Sequence, residues 1–346
     1  MKDGIYRQLP AVLLPWYQTN KRQLPWRRDK EPYHIWLSEI MLQQTRVEAV
    51  RGYYERFLEA LPTVEMLANA DDELLHKLWE GLGYYSRVRN LKKAADIIVQ
   101  TYGGEFPASY EDVIQLPGVG EYTAGAICSI SFDLPTPAVD GNVLRVITRL
   151  TNDETPVDTP ALKKQIREHL FRIYPPEAGD FTQSLMELGA TVCGPNRIPE
   201  CENCPCRSFC IGKAEGDPAR LPVKGAKRQR KKDEKTVFIL SCEGAYALEK
   251  RPNRGLLATL WQFPNIVGKL DAQVALQWLE NIGLHPKEIL RQTEKKHIFT
   301  HIEWDMRGIY VEVSDTGGDF QWFSLEELRE NTAIPTAFRQ FLDEIE

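Results

Sequence analysis

Apolar residues recur at helical spacing through the first 211 residues of this 346-residue chain. The longest amphipathic run extends from His34 to Leu61, and shorter runs follow at 72–82, 88–102, 122–131, 143–150, 161–173 and 181–192. Intervals of three and four residues between apolar side chains are typical of helices that bury one face. The pattern therefore predicts a mostly α-helical N-terminal domain over residues 1–211.

The pattern changes in the last third of the chain to short β-rich runs such as TVFIL, AYALEK and GIYVEV. Helices are predicted over 272–281 and after Ser324 and Pro335, and Ser324 with Glu327 fits a capping box. These features predict a smaller α+β domain over residues 236–346.

A linker is predicted between the two domains, at residues 212–235, because this stretch is rich in charge and in small or helix-breaking residues. Lys227 to Lys232 make it basic. It is either a solvated tether or a segment that touches DNA phosphates.

The composition is that of an ordinary globular protein, with 42% apolar and 27% charged residues. The N-terminus lacks the basic and apolar regions of a signal peptide, and no stretch resembles a membrane span. Seven cysteines, four of them clustered, favour a reducing compartment over disulfide bonds. We therefore expect a cytoplasmic protein that does not bind membranes.

The formal net charge of −6 argues weakly against nucleic acid as a partner, although backbone amides or a local basic patch can bind phosphates.

Four cysteines, Cys193, Cys201, Cys204 and Cys210, follow the last long helical run. Four thiolates in so short a loop can enclose a metal centre. No histidine pair and no second Cys-x-x-Cys pair completes a zinc site, so the spacing favours an iron–sulfur cluster, with a zinc knuckle as the alternative. Cys206 lies between two of these ligands and is interpreted as a bystander.

The segment LPGVGEYTAGAI begins at Leu116 and places Gly118 and Gly120 around a tight turn before a helix. Glycines allow left-handed backbone geometry and close approach of another chain, and the amides that open the next helix can bind an anion. This predicts a helix–hairpin–helix at about 112–131 in which Gly118, Val119 and Gly120 bind DNA phosphates. An ordinary turn at a helix end is the alternative.

Two carboxyl groups are candidates for acid and base chemistry. Glu39 lies on the apolar stripe of its helix, where burial raises the pKa of a carboxyl group. Asp140 precedes a helix whose amides and dipole favour its ionised form. A raised glutamic acid beside an ionised aspartate is the arrangement that cleaves glycosidic bonds. The alternatives are a salt bridge from Glu39 to Arg27 or Arg46, and a purely structural N-cap at Asp140.

The run GLGYYSRVRNL, from Gly81 to Leu91, places adjacent tyrosines after a flexible turn and before two arginines. Aromatic side chains on such a turn can insert into a base stack. Packing in the protein core is the alternative for both tyrosines, and it is the one we favour for Tyr85.

Together these motifs resemble the helix–hairpin–helix glycosylase superfamily, which includes endonuclease III, and in detail its MutY-type adenine DNA glycosylases. The resemblance is carried by PWR, WLSEIMLQQTRV, GLGYYSR, LPGVGEYTAGAI, VDGNVLR, MELGA and the cysteine cluster, in the order of the family. It implies two helical lobes, one a six-helix barrel and one holding a [4Fe-4S] cluster, with the active site in the cleft between them.

The resemblance also implies roles for individual residues. Glu39 would protonate the adenine ring and support attack by water, Asp140 would stabilise the oxocarbenium ion, and Tyr122 and Asn142 would assist at the sugar. The flipped adenine would be enclosed by Trp26, Arg27, Leu42, Val47 and Gln183. The opposite base, normally 8-oxoguanine, would be probed by Gln44, Thr45, Leu82 and Tyr84.

Tyr122 separates two subclasses of this superfamily. Bifunctional relatives carry a lysine at this position, two residues after the last hairpin glycine. Without an amine no Schiff base forms, so the resemblance implies monofunctional hydrolysis. The alternative is an endonuclease III-like glycosylase and lyase that acts on oxidised pyrimidines.

The C-terminal domain resembles the Nudix-like domain of the same family through GLLATLWQFP and HIFTHIEW. Phe299, Thr300 and His301 occupy the loop that in the family contacts 8-oxoguanine. A Nudix pyrophosphatase needs several glutamates for Mg²⁺ on the helix after this motif, and only Glu280 is available there, which favours recognition over hydrolysis. The resemblance thus implies a monomeric base-excision repair enzyme on the nucleoid, whose partner is double-stranded DNA with adenine opposite 8-oxoguanine or guanine.

Overall fold

A computed structural model describes residues 2–195, 198–225 and 229–345 of the chain. Contacts between Cα atoms divide it into two compact units. The helical unit comprises Met1–Asn69 and Arg89–Ala226, and the mixed unit comprises Ala70–Val88 and Lys227–Glu346. Residues 70–88, which the sequence analysis assigns to the N-terminal domain, therefore group with the C-terminal part of the chain.

The N-terminal part of the chain is mostly helical, as the apolar spacing predicts. Its α-helices are α1 (Lys2–Asn20), α2 (Pro32–Leu42), α3 (Val47–Ala60), α4 (Val64–Asn69), α5 (Asp72–Leu78), α6 (Ser86–Tyr102), α7 (Tyr110–Val113), α8 (Glu121–Phe132), α9 (Gly141–Thr151), α10 (Pro160–Phe171), α11 (Ala178–Thr191) and α12 (Ile211–Ala214). None of the described helices is long and apolar enough to cross a bilayer.

The single run from His34 to Leu61 is two helices in the structure, and the expectation of one continuous element is wrong. α2 ends at Leu42 and α3 begins at Val47. Between them Gln44 has a φ of +59°, a left-handed conformation that a continuous right-handed helix cannot contain. Gln43 and Gln44 of this loop line the cavity described below.

The core of the helical unit forms where α1, α9, α10 and α11 pack together. Leu13, Val143, Leu170 and Phe181 are completely buried there. Because α9 is fixed by this core, its N-cap residue Asp140, directly before the helix, has a defined position.

The mixed unit contains a mixed sheet and three helices of the C-terminal part. The strands are β1 (Lys231–Cys242), β2 (Ala245–Lys250), β3 (Trp261–Gln262), β4 (Asn265–Val267), β5 (Pro286–Ile298), β6 (Ile302–Val313) and β7 (Gln321–Ser324). The helices are α13 (Ala272–Asn281), α14 (Leu325–Glu330) and α15 (Thr336–Leu342). The strand order is β3-β2-β1-β6-β5, with β4 paired to β1 and β7 to β2. The predicted α+β fold and the predicted capping box at Ser324 are confirmed.

Alternation along β1 explains why the four residues from Val237 to Leu240 in its TVFIL run are all apolar. Val237 and Ile239 pack against the cluster that includes α14 and α15, whereas Phe238 and Leu240 pack against the cluster that includes α13. Successive side chains of a strand point to opposite faces, so a sheet covered by helices on both faces requires apolar residues at every position. β1 runs parallel to β6 and begins at Lys231, inside the stretch 212–235 for which the sequence suggests a linker. Lys227 and Arg228 lie outside the described residues.

Candidate active site

A cavity of about 330 Å³ opens in the helical unit, and both candidate carboxyl groups line it. Its walls include all nine residues that the sequence predicts to act on the sugar and the adenine, together with Gln44, which is predicted to probe the opposite base. The ten residues are Trp26, Arg27, Glu39, Leu42, Gln44, Val47, Tyr122, Asp140, Asn142 and Gln183. Thr45 lies in the same loop as Gln44 and donates a hydrogen bond from its hydroxyl to the carbonyl of Gln43 (3.3 Å). Residues spread over 158 positions of sequence therefore meet at one site.

Glu39 is a buried acid. It lies in α2 with 6% of its surface exposed, and Tyr122 donates a hydrogen bond to its Oε2. Burial raises the pKa of Glu39 to about 7; the hydrogen bond from Tyr122 opposes this shift, and the nearby Asp140 adds to it. The predicted rise is thus present. Arg27, considered above as a salt-bridge partner of Glu39, pairs instead with Glu187.

Asp140 caps α9 and is itself held by hydrogen bonds. Its Oδ1 accepts from the backbone amide of Val143 (2.7 Å) and its Oδ2 from Nδ2 of Asn142 (2.6 Å). Burial nevertheless raises the pKa of Asp140 above its ordinary value, while these hydrogen bonds and the charge of Arg145 oppose the rise. The sequence analysis considered only the helix terminus, which favours ionisation, and missed the opposing effect of burial.

Tyr122 stands in the first turn of α8 with its hydroxyl on Glu39. Burial and the two neighbouring carboxyl groups raise the pKa of Tyr122 well above its usual value, so the phenol keeps its proton and acts as a donor. The position offers no amine that could attack a sugar.

Asn142 connects Asp140 to the neighbouring helix. Its Oδ1 accepts a hydrogen bond from Nη2 of Arg145 (2.8 Å), and the same nitrogen donates to the carbonyl of Gly189 in α11 (2.7 Å). Nε of Arg145 donates to the carbonyl of Cys193 (2.8 Å). Arg145 is 7% exposed, and the sequence analysis gave it no role.

Glu187 also lines the cavity, together with the two arginines that it pairs with. It is completely buried; Oε1 accepts from Nε of Arg22 (2.7 Å) and Oε2 from Nη2 of Arg27 (2.9 Å). Burial raises the pKa of Glu187, but the hydrogen bonds and charges of the two arginines outweigh burial, and the net shift is downward. The sequence analysis missed Arg22 and Glu187. A glutamate between Met186 and Leu188 on an apolar helix was the available signal.

The four candidate metal ligands converge although they come from three short elements. Cys193 follows α11, Cys201 and Cys204 bracket the 3₁₀ turn Cys201–Asn203, and Cys210 precedes α12. All four line one small cavity whose exposed surface is apolar although Arg149 and Glu200 also border it, and no disulfide joins them. Among the described residues, no three His, Cys, Asp or Glu side chains form a site for a single metal ion.

Cys206 is completely buried in the core of the helical unit, which fits its interpretation as a bystander. Nη1 of Arg149 donates to Sγ of Cys193 (3.3 Å) and to the carbonyl of Gly194 (3.0 Å). Residues 196 and 197, within the first cysteine gap, lie outside the described residues.

The predicted hairpin turn joins α7 to α8. Gly118 has a φ of +79°, and a Cβ there would lie 2.7 Å from Cβ of Asn90, so both backbone and space require glycine. Gly120 has an ordinary φ of −103° and no neighbour within 4 Å of a Cβ built there, so of the two glycines only Gly118 uses the left-handed region. Val119 is buried, which leaves the two exposed glycines at the surface of the turn.

The residues assigned to the opposite base are divided between the units. Leu82 and Tyr84 belong to the mixed unit, as do Phe299, Thr300 and His301. The hydroxyls of Tyr84 and Thr300 are hydrogen bonded at 2.7 Å, although 216 positions separate them. Tyr84 is 46% exposed, whereas Leu82 is buried.

The loop that carries Thr300 is fixed by aromatic and backbone contacts. The ring of Phe299 packs edge-on against His297 and Trp304, with centroids 4.5 and 4.8 Å apart. The carbonyl of His301 accepts a hydrogen bond from the amide of Lys231, at the start of β1. Tyr85 is 5% exposed with its ring edge-on to His76, as expected of a core residue.

Comparisons with known proteins agree with these features. The HhH-GPD superfamily of base excision DNA repair proteins matches residues 37–176, and a NUDIX domain matches residues 236–344. The adenine DNA glycosylase of Rattus norvegicus is 34% identical over 95% of this chain and 76% of its own length. That of Buchnera aphidicola subsp. Acyrthosiphon pisum is 30% identical over 99% of this chain and 98% of its own.

A solved structure of a thermostable thymine-DNA glycosylase shares the fold of the helical part, with a TM-score of 0.56 and 27% identity over 61% of this chain and 98% of that one. The relatives align over nearly the whole chain, and the motif resemblance drawn from the sequence is confirmed. The chain belongs to the adenine DNA glycosylase family, within the HhH-GPD superfamily of base excision DNA repair enzymes.

Proposed function

We propose that this protein removes adenine mispaired with 8-oxoguanine or guanine in double-stranded DNA, by hydrolysis of the N-glycosidic bond without strand cleavage. One observation carries the proposal: Glu39 and Asp140 line the same cavity, and Glu39 is a buried acid with a pKa of about 7. An acid that is half protonated near neutral pH can both donate and recover a proton in one cycle.

Glu39 is the general acid in this proposal. Its proton goes to the flipped adenine ring, which makes the base a better leaving group, and the carboxylate that results accepts a proton from the attacking water. Tyr122 orients the carboxyl group through its hydrogen bond to Oε2.

Asp140 stabilises the positively charged sugar that forms as the bond to adenine breaks. An anion fixed in advance by its surroundings stabilises such a charge without having to reorganise. Asn142 and the amide of Val143 supply that fixation. Because Tyr122 replaces the attacking lysine of bifunctional relatives, the product is an abasic site in an unbroken strand.

Adenine recognition is assigned to the apolar and polar side chains that line the cavity beside the two carboxyl groups. A volume of about 330 Å³ is within the range of pockets that enclose small organic groups. Trp26, Leu42 and Val47 offer apolar surface to the ring, and Arg27 and Gln183 offer polar groups to its edge. Glu187 holds Arg27 in place by an ion pair.

Recognition of the opposite base is assigned to Gln44, Thr45, Leu82 and Tyr84, together with Phe299, Thr300 and His301. The hydrogen bond between Tyr84 and Thr300 supports this assignment, because it joins a turn from one part of the sequence to the candidate lesion loop from another. DNA phosphates are assigned to Gly118, Val119 and Gly120, whose turn is exposed at both glycines.

The four cysteines fit a [4Fe-4S] cluster, since all four donors are sulfur and they enclose an apolar cavity. When bound, such a cluster cross-links Cys193 to the loop that ends at Cys210 and so orders it. None of the proposed hydrolytic steps uses the cluster. Arg145 and Arg149 hold the backbone around Cys193 independently of it.

The proposal is tested by single-turnover reactions on duplexes that differ only in the base opposite adenine. We expect adenine release to be fastest opposite 8-oxoguanine, slower opposite guanine and negligible opposite thymine, with strand breaks only after alkaline treatment. Equal rates on all three duplexes contradict the specificity. Strand breaks at neutral pH with a borohydride-trapped adduct support the bifunctional alternative instead.

A further inference from the structure

Residues 70–88 are anchored to the C-terminal part of the mixed unit by three carboxylate and ammonium groups. Glu73 accepts from Nζ of Lys250 (2.6 Å) and from Nε1 of Trp261 (3.2 Å). Nζ of Lys77 donates to the carbonyl of Arg329 (2.9 Å). These contacts explain why this helical segment groups with a sheet that follows it by more than 140 residues.

Glu80 is bonded through both of its carboxylate oxygens. Its Oε1 accepts from Nη1 of Arg339 (2.6 Å) and from the backbone amide of Ile334 (3.1 Å), and its Oε2 lies 2.9 Å from Nζ of Lys77. The Glu80 side chain is only 12% exposed. A carboxylate with this little solvent depends on its partners, so loss of one of them has a large effect.

Glu80 immediately precedes the Gly81–Tyr84 turn, which we call the probe turn. Gly81, Gly83 and Tyr84 have φ values of +97°, +70° and +48°. A tyrosine in the left-handed region is intrinsically unfavourable and persists only where tertiary contacts impose it. The probe turn therefore takes its shape from its surroundings.

Contacts hold the probe turn at both ends. At its start, Glu80 is fixed by Arg339 and Ile334, and at its end the hydroxyl of Tyr84 is bonded to Thr300. Its middle is held locally, because Nη2 of Arg87 donates to the carbonyl of Leu82 (2.9 Å). Both terminal contacts come from the C-terminal part of the chain.

We propose that Glu80 and Arg339 form a clamp through which the C-terminal domain sets the conformation of the probe turn, and thereby the selectivity for the base opposite adenine. They are positioning residues, which act through Leu82 and Tyr84. This inference rests on the proposed function for its selectivity part, but the effect on the turn itself does not depend on that function.

The first experiment measures selectivity, as the ratio of single-turnover rates for adenine opposite 8-oxoguanine and opposite guanine. Arg339→Met should lower this ratio roughly three- to tenfold, which lies in the lower part of the range of coupling between residues in contact. Glu80→Gln, alone or combined with Arg339→Met, should give a similar loss, whereas Arg339→Lys should retain most of the ratio. The matched control is Lys287→Met, which breaks an exposed ion pair with Glu312 on the same sheet and should leave the ratio unchanged.

The second experiment measures hydrogen–deuterium exchange of amides 81–85 in the full-length variants. Arg339→Met should accelerate exchange there, and Lys287→Met should not. The selectivity part is overturned if Arg339→Met keeps the wild-type ratio or is slowed equally on both substrates. The clamp is overturned if exchange of amides 81–85 is unchanged in this variant. A wild-type protein without preference for 8-oxoguanine contradicts the proposed function, and faster exchange in Arg339→Met then still supports the clamp.

Discussion

The hydroxyl of Tyr122, in the first turn of α8, donates a hydrogen bond to Oε2 of Glu39, which lies 83 positions earlier in α2. This contact fixes the orientation of the carboxyl group that we assign as the acid. It also lowers the pKa of that group, against the larger effect of burial. The position that in bifunctional relatives holds the attacking lysine here holds a group that adjusts the acid.

The pH dependence of base release should follow Glu39. Since its pKa is raised to about 7 and its protonated form is the active one, the single-turnover rate should fall as pH rises through 7. Tyr122→Phe removes a hydrogen bond that lowers this pKa, so the descending limb should move to higher pH. Single-turnover rates of the wild type and of Tyr122→Phe, measured from pH 5 to 9, check this. If the descending limb of the pH profile does not move in the variant, the assignment of Glu39 as the acid is contradicted.

Stability should depend on pH through the same group. The pKa of Glu39 is about 7 in the folded protein against an ordinary value of 4.5, so its ionisation opposes folding progressively between these values. Above pH 7 the ionisation of Glu39 lowers the free energy of unfolding by its full amount, about 3 kcal/mol. Glu39→Gln should therefore stabilise the protein more at pH 8 than at pH 5. Urea unfolding at the two pH values measures this, and an equal effect at both contradicts a raised pKa.

Glu187 should be required for both stability and the adenine pocket. Glu187→Gln leaves Arg22 and Arg27 without a counter-charge, and loss of one partner of a buried ion pair costs about 3 kcal/mol. We expect that decrease in the free energy of unfolding, together with weaker substrate binding. The control is Glu154→Gln, which removes an exposed partner of Arg220 and should change stability little. Similar losses in both variants would count against a special role for Glu187.

Gly189 should be irreplaceable for a steric reason. A Cβ at this position would lie 2.7 Å from Cβ of Asn142, so Gly189→Ala must displace α9 or α11. Asn142 holds Asp140, and small displacements of catalytic groups cost up to about 100-fold in rate. The matched control is Gly4→Ala, because a Cβ at Gly4 would have no neighbour within 4 Å. Single-turnover rates compare the two, and full activity in Gly189→Ala contradicts the close helix contact.

Iron content should separate ligands from the bystander cysteine. Cys201→Ser removes one of the four thiols around the apolar cavity and should lower bound iron and sulfide. Cys206→Ala changes a buried cysteine that packs in the core and should leave both unchanged. Zinc in place of iron in the purified wild-type protein would favour the zinc knuckle.

Local patterns account for much of the fold. α13 coincides with its predicted bounds, Ala272–Asn281, because its apolar spacing and the N-cap Asp271 are both readable in the sequence. The raised pKa of Glu39 was readable for a similar reason, since a carboxyl group on an apolar helix stripe is recognisable from neighbours three and four residues away.

What the sequence missed depends on contacts between distant residues. The ion pair of Arg22 with Glu187 spans 165 positions, and the anchor between Glu73 and Lys250 spans 177. No periodicity records such contacts, so the grouping of residues 70–88 with the C-terminal part of the chain could not be predicted from the sequence. The break at Gln44 was missed for another reason, since apolar spacing continues across it and only the backbone angle reveals it.

The most direct measurement is release of free adenine from a duplex with adenine opposite 8-oxoguanine, under single-turnover conditions, by the wild-type protein and by Glu39→Gln and Asp140→Asn. We predict rapid release of adenine by the wild type and a loss of release in both variants, each of which still binds the duplex. Release by either variant at the wild-type rate would contradict the roles of the acid and the carboxylate.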